Sequence, residues 1–386
     1  MRKTRIHLLM VVAICMAMTA CFKDEPLNAE CDIVRAWIHY DAPGNYTWNL
    51  SDTIINTISS AESKITFRVK PGTDKTRLAP QFLTTDGATL EPASGTELDF
   101  SSGAQTYRVT SQDGNWHRDY VVEVVELRRT ESDTIHFDFE NPVPVLYANN
   151  KLNYYRWVDL NEDGTEAFSW ASGNGGFAIA NMSAAPEAYP TVPLDEGYEG
   201  KGVKLTTRDT GPFGKMAGMP LAAGNLFIGN FVIETALKDA LKSTQFGTPF
   251  DKKPVKFTGY YKYFPGDGYK DQNGNDDEGA IYAIFFKNHD AAGQDFMLDG
   301  SNVQTSEMIV AKAIMPEVRL TEEWTKFEIP FDYSGLAFDQ ETLETFGYSL
   351  TVVFSSSTGG ARFQGAIGST LYIDKVEIIC ETDMTE

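Results

Sequence analysis

The sequence predicts an all-β protein built from two sandwiches of unequal size. Three observations point there. Short stretches alternating at period 2 recur in both parts of the chain, turn dipeptides separate them, and no long helical period appears. At 386 residues the chain exceeds what one hydrophobic core usually holds, so two domains are expected. No repeat of fixed period is present.

The N-terminus reads as an export segment. Arg2, Lys3 and Arg5 precede an apolar run at 8–18 that is too short to span a bilayer. Met18-Thr19-Ala20-Cys21 resembles the lipobox of bacterial lipoproteins, in which the thiol is diacylated and the chain is cut before it. That resemblance implies a signal peptide at 1–20 and a lipid on Cys21. The alternative is an ordinary secretory signal with an incidental cysteine. Residues 21–30 form a tether. Its start, Cys21-Phe22-Lys23-Asp24-Glu25, resembles the signal that sends Bacteroidetes lipoproteins to the outer face of the outer membrane. A solvated charged linker is the other reading. No second apolar run approaches membrane length, so the lipid is the expected membrane anchor.

The formal charge is −21, and loss of the signal cations makes the chain more acidic still. Such a chain repels phosphate backbones and offers no basic cluster, so nucleic acid is not an expected partner. Of the four cysteines, Cys15 leaves with the signal and Cys21 takes the lipid. Cys31 and Cys380 remain near the two ends of the folded part. In a disulfide-permissive compartment they could bridge, or each could be a small buried apolar side chain.

Residues 31–127 alternate at 65–69, 105–110 and 120–125, with turns at Pro71-Gly72, Asp86-Gly87, Ser94-Gly95 and Asp113-Gly114. This spacing predicts a β-sandwich of immunoglobulin-like size. Residues 128–133 are polar and aperiodic and read as a linker. Residues 134–386 hold strand patterns at 203–207, 256–264, 280–288, 327–331, 348–355 and 371–379. Helical patches are expected at 236–243 and from an N-cap at Asp339 through Leu343. Strands with long glycine-rich loops over this length predict a large two-sheet jelly roll.

Several segments of the second domain are distinctive. They are Pro220-Leu221-Ala222-Ala223-Gly224-Asn225-Leu226-Phe227-Ile228-Gly229-Asn230-Phe231, Gly259-Tyr260-Tyr261-Lys262-Tyr263, Asp277-Glu278 running into Ile281-Tyr282-Ala283, Phe354-Ser355-Ser356-Ser357, and Phe363-Gln364-Gly365 running on to Tyr372-Ile373-Asp374. In this order they resemble the putative carbohydrate metabolism domain of Bacteroidetes. The N-terminal run through Leu78-Ala79-Pro80 and Tyr107-Arg108-Val109-Thr110 resembles the Ig-like modules that precede binding domains in surface lipoproteins of that phylum. The resemblance implies a jelly roll related to carbohydrate-binding modules and glycoside hydrolases, with the first domain as a spacer.

Sugar recognition needs flat apolar faces and planar polar groups. Trp157 and Trp170 lie near the glycine-rich Ser172-Gly173-Asn174-Gly175-Gly176, read as a loop or hairpin turn. Both tryptophans and Asn174 are candidate ligand contacts; core packing is the competing role for the tryptophans. In 257–264, Phe257, Gly259, Tyr261 and Tyr263 share one face, and Thr258, Tyr260, Lys262 and Phe264 share the other. Tyr261, Lys262, Arg208 and Glu278 join the candidates. A lysine on a covered face needs a carboxylate or a ligand, and the competing reading has Lys262 and Arg208 exposed, or paired with Asp209 or Glu278 for structural reasons. Hydrolysis would need two carboxylates across a cleft, drawn from Asp209, Glu234, Asp277, Glu278 and Asp295, with Glu278 and Asp209 foremost. No GxSxG, HExxH or CxxC occurs, which argues against serine-hydrolase and zinc chemistry. The alternating acids and amides of 271–277 superficially resemble a calcium loop. In sugar-binding jelly rolls an early and a late acid often hold a structural calcium, and Glu140 and Asp374 fall at matching ends. The expected activity is glycan binding at a cell surface. A glycoside hydrolase or lyase and a non-catalytic adhesin are the alternatives.

Overall fold

The computed structural model describes residues 27–382 except 50–51, 57, 59–62, 148–149, 161–165 and 237–238, with backbone alone at 160, 166–169 and 234. Cys21 and the export segment lie outside the described residues.

Both expected sandwiches are present. In the first, Ile54–Ile55, Ile33–Trp37 and Gln81–Thr84 form one sheet. Lys64–Val69, His117–Glu126, Gln105–Thr110 and Thr89–Glu91 form the other. Alternation decides what goes inside. Ile65, Phe67 and Val69 on one strand, and Tyr120, Val122 and Val124 on its neighbour, enter the same core.

The second domain packs a ten-stranded sheet on a six-stranded sheet. The larger has Ile309–Ile314, Ala280–Lys287, Tyr348–Ser355, Asn225–Phe231, Glu166–Ala171, Leu152–Leu160 and Pro142–Leu146 as its main path. The smaller runs Thr191–Leu194, Gly202–Thr206, Thr370–Cys380, Pro254–Phe264, Thr321–Pro330. Tyr348, Leu350, Val352 and Phe354 point into the core between the sheets, as do Ile281, Ala283 and Phe285. Their alternates Tyr282, Ile284, Phe286 and Val353 build a second apolar cluster on the far face of the ten-stranded sheet. That sheet is therefore covered on both sides, and its strands read as near-continuous apolar runs.

Four short helices occur among the described residues: α1 (Asn174–Ala180), α2 (Gly211–Met216), α3 (Ile233–Ala236) and α4 (Gln340–Glu344). Asp339 caps α4 as expected, its carboxylate accepting from Thr342 N at 2.7 Å. Two expectations need correction. The glycine-rich segment at 172–176 opens helix α1 instead of a hairpin, because Asn174 bonds both ways to Thr191 and anchors the chain start. Of the helix expected at 236–243, the described residues show Ala236 as the end of α3, which begins earlier, and turns at 240–243 before the strand Thr244–Phe246.

The segment 128–133 is docked against the second domain. Arg129 lies over the rings of Trp48 at 4.7 Å and Phe346 at 5.2 Å, one from each domain. Thr130 N donates to the buried Asp251, and Lys252 pairs with Asp133 at 3.0 Å. Both remaining thiols are free: Cys31 borders the first core and Cys380 is buried in the second.

Candidate functional site

A cavity of about 430 Å³ opens on the outer face of the ten-stranded sheet. Its floor is the outward alternates Phe227, Tyr282, Val353 and Ser355. Phe177 and Ile179 of α1, Phe213 of α2, and Phe231 with Ile233 before and within α3 form one wall. Gln304 and Thr305 close another side, and the turn from Ser357 to Phe363 closes the last. Aromatic side chains on three sides thus line a space together with the polar Asn225, Gln304, Thr358 and Arg362. Arg362 is exposed and is the one charged side chain in the described lining.

Buried hydrogen bonds fix the last wall. The Asp277 carboxylate accepts from the hydroxyls of Ser357 at 2.6 Å and Ser369 at 2.7 Å, and from the backbone N–H of Ala366 at 2.8 Å and Glu278 at 3.0 Å. Thr207 adds hydroxyl contacts to Ser356 and Ser357 at 2.8 and 2.6 Å. Gly365 sits at φ +148, and a Cβ there would stand 2.5 Å from Ser357 Oγ, so only glycine lets this turn close over the pair. Phe363 is held in the left-handed region at φ 56, a strained conformation for an aromatic residue on a cavity wall. The opposite side is tied in by Asn225, whose side chain accepts from Gly173 N at 2.7 Å.

The candidates from the sequence scatter. Trp170 is 3% exposed, packs edge-on to Phe137 at 5.1 Å, and donates its indole N–H to Asp159 at 2.7 Å. It is a core residue, because its strand turns it between the sheets. Trp157, its cross-strand partner, is equally buried. Tyr261 is also core, on the inward face of its strand. Asn174 is fully buried and spends its amide on Thr191. These four present nothing to a ligand.

The charged candidates lie outside the cavity lining. Glu278 pairs with Arg319 at 2.6 Å, and Asp209 pairs with Lys215 at 2.6 Å, which holds its carboxyl below the usual range. Asp277 is consumed by the turn, and Asp295 pairs with Arg68 of the first domain at 3.6 Å. The Glu234 side chain is outside the described residues. Lys262 stands on the outer face of the six-stranded sheet, and Arg208 lies just past that sheet, in a two-stranded pair with Ala222. Glu140 and Asp374 both clasp the loop at 197–201: Glu140 accepts from Lys201 N at 3.1 Å and Asp374 from Glu199 N at 2.9 Å. Asp271 accepts from the N–H groups of Asn273 and Asn275, which closes its own turn. Among the described residues no group of three or more His, Cys, Asp or Glu is arranged to hold a metal.

Sequence reasoning gave no signal for Phe213, Gln304 and Arg362; Asn225, Phe231, Tyr282, Ser355, Ser357 and Phe363 fall inside segments noted as distinctive, but none of them was singled out as a site residue.

Residues 138–379 match the family described as putative carbohydrate metabolism domain, and residues 46–124 match the N-terminal domain of SGBP proteins. The chain is similar to a crystal structure of a putative glycoside hydrolase from Bacteroides thetaiotaomicron, with 38% identity over 94% of this chain and 99% of that one, at a TM-score of 0.71. It is also similar to one from Bacteroides vulgatus, with 40% identity over 64% of this chain and 98% of that one, at a TM-score of 0.58. No curated protein matches the chain. These likenesses support a carbohydrate-associated role. The chain belongs to the putative carbohydrate metabolism domain family.

Proposed function

We propose that the protein is a lipid-anchored glycan-binding protein of the outer-membrane surface, and that the ligand enters the cavity above the ten-stranded sheet. The observation that carries this reading is the lining itself. Phe177, Phe213, Phe231 and Phe363 supply apolar faces, while Asn225, Gln304, Thr358 and Arg362 supply hydrogen bonds for hydroxyls. The lipobox-like Met18-Thr19-Ala20-Cys21 after a short apolar run and the match of the first domain to the N-terminal domain of SGBP proteins support the location.

Hydrolysis is the second reading, because both similar structures are described as putative glycoside hydrolases. Glycosidases use two carboxyl groups roughly 5–9.5 Å apart across the scissile bond. The described lining contains no Asp or Glu, which favours binding. A soluble chain lacking the segment through Cys21 should retain glycans on an array and release no reducing ends from those it binds. Turnover of a retained glycan would instead make the protein an enzyme.

A further inference from the structure

On the opposite side of the sandwich, the outer face of the six-stranded sheet carries a row of cations and aromatic rings. Lys204 is the register partner of Tyr372, and Tyr372 is the partner of Lys262. The Lys204 ammonium lies 5.7 Å over the Tyr372 ring, and the Lys262 ammonium lies 5.2 Å over Trp324 on the next strand. Four strands therefore contribute one continuous row about 15 Å long, from strand spacings of about 4.8 Å. Phe264 flanks it, edge-on to Tyr372 at 6.0 Å. At the other side Tyr198, 46% exposed, stacks on Tyr260 at 3.7 Å.

The charges on this face are unbalanced in a chain of net charge −21. Neighbouring lysines have acids: Lys326 pairs with Glu328 at 2.7 Å and Lys375 with Glu199 at 3.6 Å. Among the described residues neither Lys204 nor Lys262 has a carboxylate within ion-pair distance, and both are half-buried. Arg208, two residues beyond the strand of Lys204, has a buried Nε without a partner among the described residues. Burial and the charge of Arg208 both push the Lys204 ammonium below its usual range, so the cations repel one another with no internal anion between them. Desolvated cations such as Lys204 and Arg208 cost free energy in the absence of an anion and gain it when one arrives.

We propose that this face is a second carbohydrate-binding surface, distinct from the cavity, whose ligand is an acidic polysaccharide: uronate carboxylates pair with Lys204 and Lys262 while sugar rings lie along Tyr372 and Trp324. Aromatic rings flanked by cations suit such a chain, because stacking serves the apolar ring face and charge serves the carboxylate.

The test is affinity electrophoresis of the soluble chain in gels containing polygalacturonate, dextran sulfate or a neutral glucan. Polygalacturonate should retard the protein, and the double variant Lys204→Gln with Lys262→Gln should lose at least tenfold in affinity. Lys204→Arg with Lys262→Arg should keep most of it. Melts of both variants confirm that folding is unchanged. Cavity variants such as Phe213→Ala should leave polygalacturonate binding intact, which separates this surface from the cavity. No retardation by polygalacturonate, equal retardation of the Gln variant, or equally strong retardation by dextran sulfate would overturn the proposal.

Discussion

Asp277 and Ser357 are 80 positions apart, yet the Ser357 hydroxyl donates to the Asp277 carboxylate at 2.6 Å. That contact sets the turn that walls the cavity. Asp277 is 4% exposed, so its partners have no water to turn to when it is removed.

Asp277→Ala should therefore destabilise the domain by on the order of 3 kcal/mol or more, since several buried donors lose their acceptor together. Thermal unfolding measures the loss. A variant melting within a degree or two of the parent would show that the turn is held by something else.

Trp170→Ala should cost about 3–5 kcal/mol of stability, as for other buried aromatics cut to alanine. Glycan affinity of the surviving folded fraction should be unchanged, because the ring faces Phe137, Phe139 and Phe354 and not the cavity. A stable variant with weakened binding would return this residue to the site.

Stability should also depend on Asp159. Burial raises its carboxyl to about 6, with the Trp170 N–H opposing the shift. Between the unfolded carboxyl value and about 6 the native state holds the proton that the unfolded chain has released. Stability from this group therefore falls as pH rises through that window and is level above it. Asp159→Asn keeps an acceptor for Trp170 and removes the proton. Its stability relative to the parent should rise by on the order of 1–2 kcal/mol from pH 4 to 7. Parallel denaturation curves at all pH values would contradict this.

Cys21→Ala should abolish acylation and move the protein out of the membrane fraction, because one thiol carries the whole anchor. Palmitate labelling of that variant at parental levels would sink the lipoprotein reading.

The strands were legible because period 2 is local: the faces assigned in 257–264 are those the structure shows, with Phe257, Tyr261 and Tyr263 inward. The tryptophans misled because a flexible-looking glycine run beside an aromatic suggests a binding loop. Asn174, by bonding Thr191 in both directions, turns that run into a helix start. The cavity itself was not legible. Phe213, Gln304 and Arg362 lie in separate connections, and only the fold over the second face of the ten-stranded sheet brings them together. Lys262 lies half-buried on the outer face of its strand, and its ring partner Trp324 comes from a neighbouring strand that period 2 alone does not bring beside it.

The most direct measurement is calorimetric titration of Phe213→Ala with a glycan retained by the parent, beside a melt of the same variant. Phe213 lines the cavity and is 46% exposed, so its truncation should cost less than about 1 kcal/mol of stability. Binding should weaken roughly thirtyfold, about 2 kcal/mol, as an aromatic contact is lost. Unchanged affinity in a stable Phe213→Ala protein would contradict the cavity as the place where glycan binds.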